Sequence, residues 1–212
     1  MSPSRQIART RAAARRLRNR GTQPRLYVDR SGRIAAATQI ASPNCDERPA
    51  GETITLLVIH SISLPPGEFG GPAIVDLLAN RLDPGAHPSF AALKNLRVSA
   101  HFLIRRNGDL LQFVACSRRA WHAGASSWRG RERCNDFSIG VELEGDDHLP
   151  YVDAQYAVLA RLTRALRRRY PIAGIAGHDQ IAPGRKTDPG PAFDWKRYRA
   201  LIARRRRSGR AR

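Results

Sequence analysis

Cysteine is scarce in this chain: Cys45, Cys116 and Cys134 are the only three in 212 residues. An odd number, with no two spaced as C-x-x-C, excludes a disulfide framework and a thiolate metal cluster, and fits a reducing compartment. Long apolar runs are missing too. Nothing approaches the roughly 20 consecutive apolar residues that span a bilayer, and the basic N-terminus lacks the apolar stretch and cleavage site of a secretory signal. A cytoplasmic protein without a membrane span is therefore expected. Acids are scarce only at the ends. Residues 1–34 hold ten Arg against Asp29 alone (+9), and residues 204–212 hold six Arg and no acid (+6). Of the net charge of +19, only +4 is left for residues 35–203, so the body does not read as a nucleic-acid binder. No specific nucleic-acid partner is expected, and weak polyanion binding is assigned to the Arg-rich ends alone.

What remains fits one domain with two tails: a basic, flexible arm over 1–34, a globular domain over 35–203 and a basic tail over 204–212. Leu26 to Ala37 reads as a hinge-like lead-in around Gly32. Ile54 to His60 is near-continuously apolar and β-branched, the pattern of a strand buried on both faces. Val98–Arg105 and Asp109–Val114 flank Arg106-Asn107-Gly108, a hairpin whose Asn-Gly is expected to supply positive φ angles. Ser138–Glu144 alternates, with Ile139, Val141 and Leu143 on one face and Gly140, Glu142 and Glu144 on the other. Pro72 introduces a helix over 73–79, Asp153 opens a second that Pro171 ends, and Asp194 caps a third running to Arg204. The prediction is a single α/β (α+β) domain, a central mixed sheet flanked by helices.

The chemistry concentrates in Gly177 to Gly190, which sets His178 and Asp188 ten positions apart on a segment stiffened by Pro183 and Pro189. A second histidine, His60, ends the buried strand upstream. Two histidines and a carboxylate on strand ends and tight loops form a credible facial set for zinc, leaving a fourth position for water.

Word order carries the reading further. His60-Ser61-Ile62-Ser63-Leu64-Pro65-Pro66-Gly67, Leu96-Arg97-Val98-Ser99-Ala100-His101, Ala120-Trp121-His122-Ala123-Gly124, Gly130 to Gly145, and His178 to Gly190 follow one another along the chain. In these words it resembles the zinc N-acetylmuramoyl-L-alanine amidases, most closely the cytoplasmic AmpD type that acts on anhydro-muropeptides. The resemblance runs from about residue 42 to residue 202, and it implies the amidase/peptidoglycan-recognition-like fold. It also implies one Zn2+ per chain on His60, His178 and Asp188, with Glu142 and Lys186 catalytic. Arg97 and Arg133 would meet substrate carboxylates, while Trp121 and His122 would wall the pocket. Ser61 departs from the asparagine usual at that position. The implied reaction is hydrolysis of the amide between (1,6-anhydro-)N-acetylmuramic acid and L-alanine in peptidoglycan recycling. Attack on intact peptidoglycan and a non-catalytic recognition module are the alternatives, and the presence of all three ligands, Glu142 and Lys186 speaks against the second.

Overall fold

Among the described residues, ten strands and four α-helices follow in chain order: β1 (Thr38–Gln39), β2 (Cys45–Asp46), β3 (Leu56–Ile62), α1 (Ala73–Leu78), β4 (Phe102–Ile104), β5 (Leu110–Gln112), β6 (Arg119–Ala120), β7 (Ser127–Trp128), β8 (Arg131–Glu132), β9 (Ser138–Glu144), α2 (Asp153–Arg169), β10 (Gly174–Gly177), α3 (His178–Ile181) and α4 (Trp195–Ala203). They come from a computed structural model, which describes residues 25–203. Six strands form one mixed sheet in the order β1-β5-β4-β9-β3-β10, and the neighbours from β4 to β10 are parallel.

The period-2 alternation of β3 and β9 divides the core. Leu57 and Ile59, with Ile139, Val141 and Leu143, join α2 residues Leu159, Leu162 and Leu166 and α4 residue Tyr198 in one cluster. Leu56 and Val58 belong to a separate cluster with Phe137, Ala176 and Ile181. His60, in phase with Leu56 and Val58, therefore sits on the sheet face turned away from α2. Parallel strands with both faces covered read as continuous apolar runs, and this is why β3 carried so clear a signal.

The predicted hairpin forms, but its turn is of another kind. Gly108 N–H donates to the Arg105 carbonyl at 2.9 Å and Arg105 N–H to the Asp109 carbonyl at 3.0 Å. Only Gly108 has positive φ, at 90°. This is a three-residue loop closed by a left-handed glycine, so Asn107 needs no positive φ. The boundary at residue 34 is also corrected. Leu26, Val28 and Ile34 are buried in the α2 cluster, Ile34 N–H donates to Gln112 Oε1 at 2.8 Å, and Arg168 donates to the Leu26 carbonyl at 2.7 Å. The body thus includes residues 25–34, and the hinge-like lead-in is core. The rest of the arm and the 204–212 tail lie outside the described residues. Among those described, no helix is long and apolar enough to cross a membrane.

Candidate active site

The C-terminal ends of β3, β9 and β10 lie side by side, the position at which open parallel sheets bind their ligands. His60 is opposite Glu142 in the β3–β9 register, and Gly177 ends β10 opposite Ile59. His178 follows at once, not in a loop as expected but as the first residue of the one-turn helix α3. The chain returns at Asp188, whose carbonyl accepts from Asp179 N–H at 2.9 Å, while Tyr151 Oη donates to the Pro189 carbonyl at 2.9 Å.

These supports bring three atoms together. His60 Nδ1 lies 3.0 Å from His178 Nδ1, and Asp188 Oδ2 lies 3.1 Å from each. The Ala123 carbonyl, which can only accept, fixes the His178 tautomer, and a cation at the centre would select the matching one at His60. His178 Nε2–H donates to the Ala123 carbonyl at 3.1 Å; His60 Nε2–H donates to His122 Nδ1 at 2.9 Å, and His122 Nε2–H in turn to Ser138 Oγ at 3.2 Å. Both Nδ1 lone pairs then face each other and a carboxylate oxygen with no proton between them, an electron-rich vertex that a cation would satisfy. The edges of 3.0–3.1 Å approach the about 3.3 Å expected between ligands of a tetrahedral zinc with 2.0 Å bonds. His60, His178 and Asp188 are the metal-capable triad among the described residues.

The charges are set to suit. Burial pushes the His60 imidazole down to about 4 despite the neighbouring Asp188 carboxylate, so it is neutral near pH 7. Burial opposes ionisation of Asp188, but the His178 and His60 imidazoles beside it win and hold its carboxyl well below the usual range. Glu142 is the exception: its Oε2 is buried without a partner, and burial, reinforced by the Asp188 charge and offset by Lys186, drives its carboxyl well above the usual value. Glu144, two residues on along the same face, accepts from Gly70 N–H, Arg105 and Arg106 N–H at 2.7–3.0 Å and clamps two loops. One carboxylate is fully satisfied and structural. The other is left free beside the triad.

The remaining predicted residues fall into two groups. Lys186 is exposed on the loop and acts on Glu142 and His60 through its charge. Arg133, at φ 60° and paired with Asp136 at 3.1 Å, lines an open cleft of about 560 Å³ with Glu132, Ala182 and Arg185. Arg97 is exposed and pairs with no acid among the described residues. Trp121 is half-buried, with its side chain near Asp46. His122 is not a pocket wall: it is buried behind His60, whose outer nitrogen it holds. Sequence reasoning also missed Arg48, whose guanidinium donates to the carbonyls of Cys116, Asn135, Asp136 and Ser138 at 2.8–3.3 Å and ties the segment entering β9 to the body. Nothing in a lone Arg amid 37 basic residues marks it. His101 is likewise core: Gly140 N–H donates to its Nδ1 at 3.0 Å, and its Nε2 meets the Arg118 carbonyl at 3.1 Å.

The histidines make a prediction about acid. Burial holds His60 down to about 4, His101 to about 3 and His122 well below its ordinary value, whereas each titrates near 6.5 when unfolded. Between those values the unfolded chain binds more protons. Stability therefore falls as pH drops below about 6.5, by up to about 1.4 kcal/mol per pH unit for each histidine. Glu142, raised in the fold, works the other way, but as one group against three. Melting of the metal-free protein in chelator should show Tm falling steadily from pH 7 to pH 4.5; a flat profile would contradict neutral, buried histidines.

Two imidazoles and a carboxylate at the carboxyl ends of parallel strands are a group able to hold a metal ion, and an unpartnered carboxylate stands beside them, the donor set of a hydrolase site. The N-acetylmuramoyl-L-alanine amidase family model matches residues 50–191, and the chain belongs to that family. The 1,6-anhydro-N-acetylmuramyl-L-alanine amidase AmpD of Citrobacter freundii is 60% identical over 173 residues, covering 81% of this chain and 92% of that protein. A crystal structure of an AmpD selenomethionine derivative superposes with a TM-score of 0.82 at 59% identity, covering 84% of this chain and 99% of the other. The Escherichia coli amidase AmiD, solved with anhydro-N-acetylmuramic acid-L-Ala-D-γ-Glu-L-Lys, matches with a TM-score of 0.52 at 30% identity over 82% of this chain and 65% of that one.

Proposed function

We propose that this amidase hydrolyses the bond between the lactyl carbonyl of 1,6-anhydro-N-acetylmuramic acid and L-alanine, as a zinc-dependent step of peptidoglycan recycling in the cytoplasm. The observation that carries the reading is the convergence of His60 Nδ1, His178 Nδ1 and Asp188 Oδ2 beside the free Glu142 Oε2. Near-60% identity to AmpD over four-fifths of the chain supports the anhydro-muropeptide as substrate. His60, His178 and Asp188 would hold one zinc ion. Zinc there supplies a Lewis acid that polarises the amide carbonyl and brings the pKa of a bound water to roughly 7.

The protein supplies the rest. Glu142, raised by burial, is poised to take the proton of the attacking water and pass it to the departing alanine nitrogen. Lys186 places an ammonium within electrostatic reach of Glu142 and His60, where the carbonyl oxygen gathers negative charge. Arg133, at the rim of the adjoining cleft, and the exposed Arg97 would take the stem-peptide carboxylates, with Trp121 as an apolar surface nearby. Cys45, Cys116 and Cys134 are all free thiols, which supports a reducing compartment.

Incubation with anhydro-N-acetylmuramoyl-tripeptide and, separately, with intact sacculi tests the assignment, products being read by mass spectrometry with and without chelator. Chelator-sensitive release of peptide from the small substrate alone is expected. Equal attack on sacculi would move the enzyme to wall lysis. No release from either, with metal bound, would leave a recognition module.

A further inference from the structure

Away from the triad, a groove of about 640 Å³ runs between the edge strand β10 and helix α4. Trp128 and Trp195 lie in it, both partly buried, and Arg129, Arg167 and Arg199 stand exposed around them. Gly174 of β10 makes the close fit: a Cβ there would come within 2.9 Å of Trp128 Nε1. Arg129 lies 5.4 Å from the Trp128 ring and Arg199 5.7 Å from the Trp195 ring. No carboxylate lines the groove, and none of its three arginines forms an ion pair among the described residues. Self-repelling cations left unpaired around two recessed indoles call for an anion that also carries a flat ring.

The surrounding charge agrees. The body as a whole is near neutral, yet residues 161–169 of α2 hold five Arg and no acid, and α4 holds Lys196, Arg197 and Arg199 without an acid. Of these, Arg167 and Arg199 line the groove, while Arg197 pairs with Asp153 and Arg168 donates to the Leu26 carbonyl. Past α4 the sequence continues as Arg204-Arg205-Arg206-Arg207, with two further Arg and no acid to residue 212. A bilayer surface suits the groove poorly. Among the described residues the exposed large apolar ones are Tyr27, Leu96 and Leu149, none of which lines it, so it offers no protruding anchor, and its indoles are set back.

We propose that this groove binds nucleotide units, the base stacking against Trp128 or Trp195 and the phosphate meeting Arg129, Arg167 and Arg199. Stacking on aromatic faces tolerates any base, and phosphate contacts carry no sequence information, so binding is nonspecific and salt-sensitive. The nucleotide comes either free or within a single strand. The site is separate from the metal triad and does not depend on the amidase reading.

The experiment follows tryptophan fluorescence of the full chain titrated with thymidine 5′-monophosphate, with a dT12 oligonucleotide and with polyphosphate, comparing the parent with the R129Q/R167Q/R199Q variant. The parent should be quenched by dT12, with the variant binding at least tenfold more weakly and its salt slope smaller by up to about 2. Trp128→Phe should remove much of the quench. Variant-sensitive binding of the mononucleotide with affinity equal to dT12 would identify a free nucleotide as the ligand; much weaker binding would identify the strand. Either supports the site. Unchanged dT12 binding in the triple variant would assign the affinity to the tails and overturn the proposal, as would equal quenching by polyphosphate, which has no base. Amide hydrolysis should be unaltered in the triple variant, showing that its fold is intact.

Discussion

Glu142→Gln should hold the metal as the parent does and hydrolyse the amide about 10²–10⁴ times more slowly. The substitution keeps the shape of the side chain and removes its capacity to accept a proton. Glu142 supplies no atom to the triad of His60, His178 and Asp188, so metal content and dissociation constant should not change. The same residue has a cost in stability. Its Oε2 is buried without a hydrogen-bond partner, and burial together with the Asp188 charge opposes ionisation. A neutral amide removes that penalty at neutral pH, and the variant should melt at a higher temperature than the parent. Slower turnover with a raised Tm and unchanged metal affinity is the signature of a residue kept for chemistry. Retention of more than a tenth of the activity, or loss of metal, would sink this role for Glu142.

Why Glu142 was readable while other parts of the site were not comes down to range. The alternation in Ser138–Glu144 is local, and by itself it puts Glu142 on the face opposite the core. The same holds for His60, the last of the five buried residues that open β3. The convergence of His60, His178 and Asp188 was legible through the order of long words and not through spacing, since 118 residues separate His60 from His178 and the parallel β3–β10 pairing brings them together. Charge hid the start of the domain: Arg25, Arg30 and Arg33 flank Leu26, Val28 and Ile34, whose burial is decided by α2 and Gln112, far along the chain. Arg48 was invisible for the same reason, as its partners are backbone groups of distant segments. The turn at Gly108 failed on a finer point, because Asn-Gly serves a two-residue loop and a three-residue loop equally well.

Gly140→Ala is expected to damage the metal site without touching a ligand. A Cβ on residue 140 would stand 2.4 Å from His122 Cγ and 2.6 Å from its Nδ1, the atom that accepts from His60. The imidazole cannot yield easily, since His122 is buried and its other nitrogen is held by Ser138. Overpacking of this kind costs roughly 1–3 kcal/mol of stability. Displacing His122 also frees His60 to rotate and to exchange its tautomer, and losing such an outer partner typically costs 10–100-fold in metal affinity. His122→Ala should show the affinity loss as well, but with a cavity in place of a clash. The double variant separates the two effects. With the His122 imidazole already gone, the methyl added at position 140 finds space, so the double variant should fold better than Gly140→Ala while binding metal no better than His122→Ala. Isothermal titration with zinc beside thermal melts reads both quantities. If the double variant regained parental affinity, His122 would not be what orients His60, and the glycine would be needed only for packing.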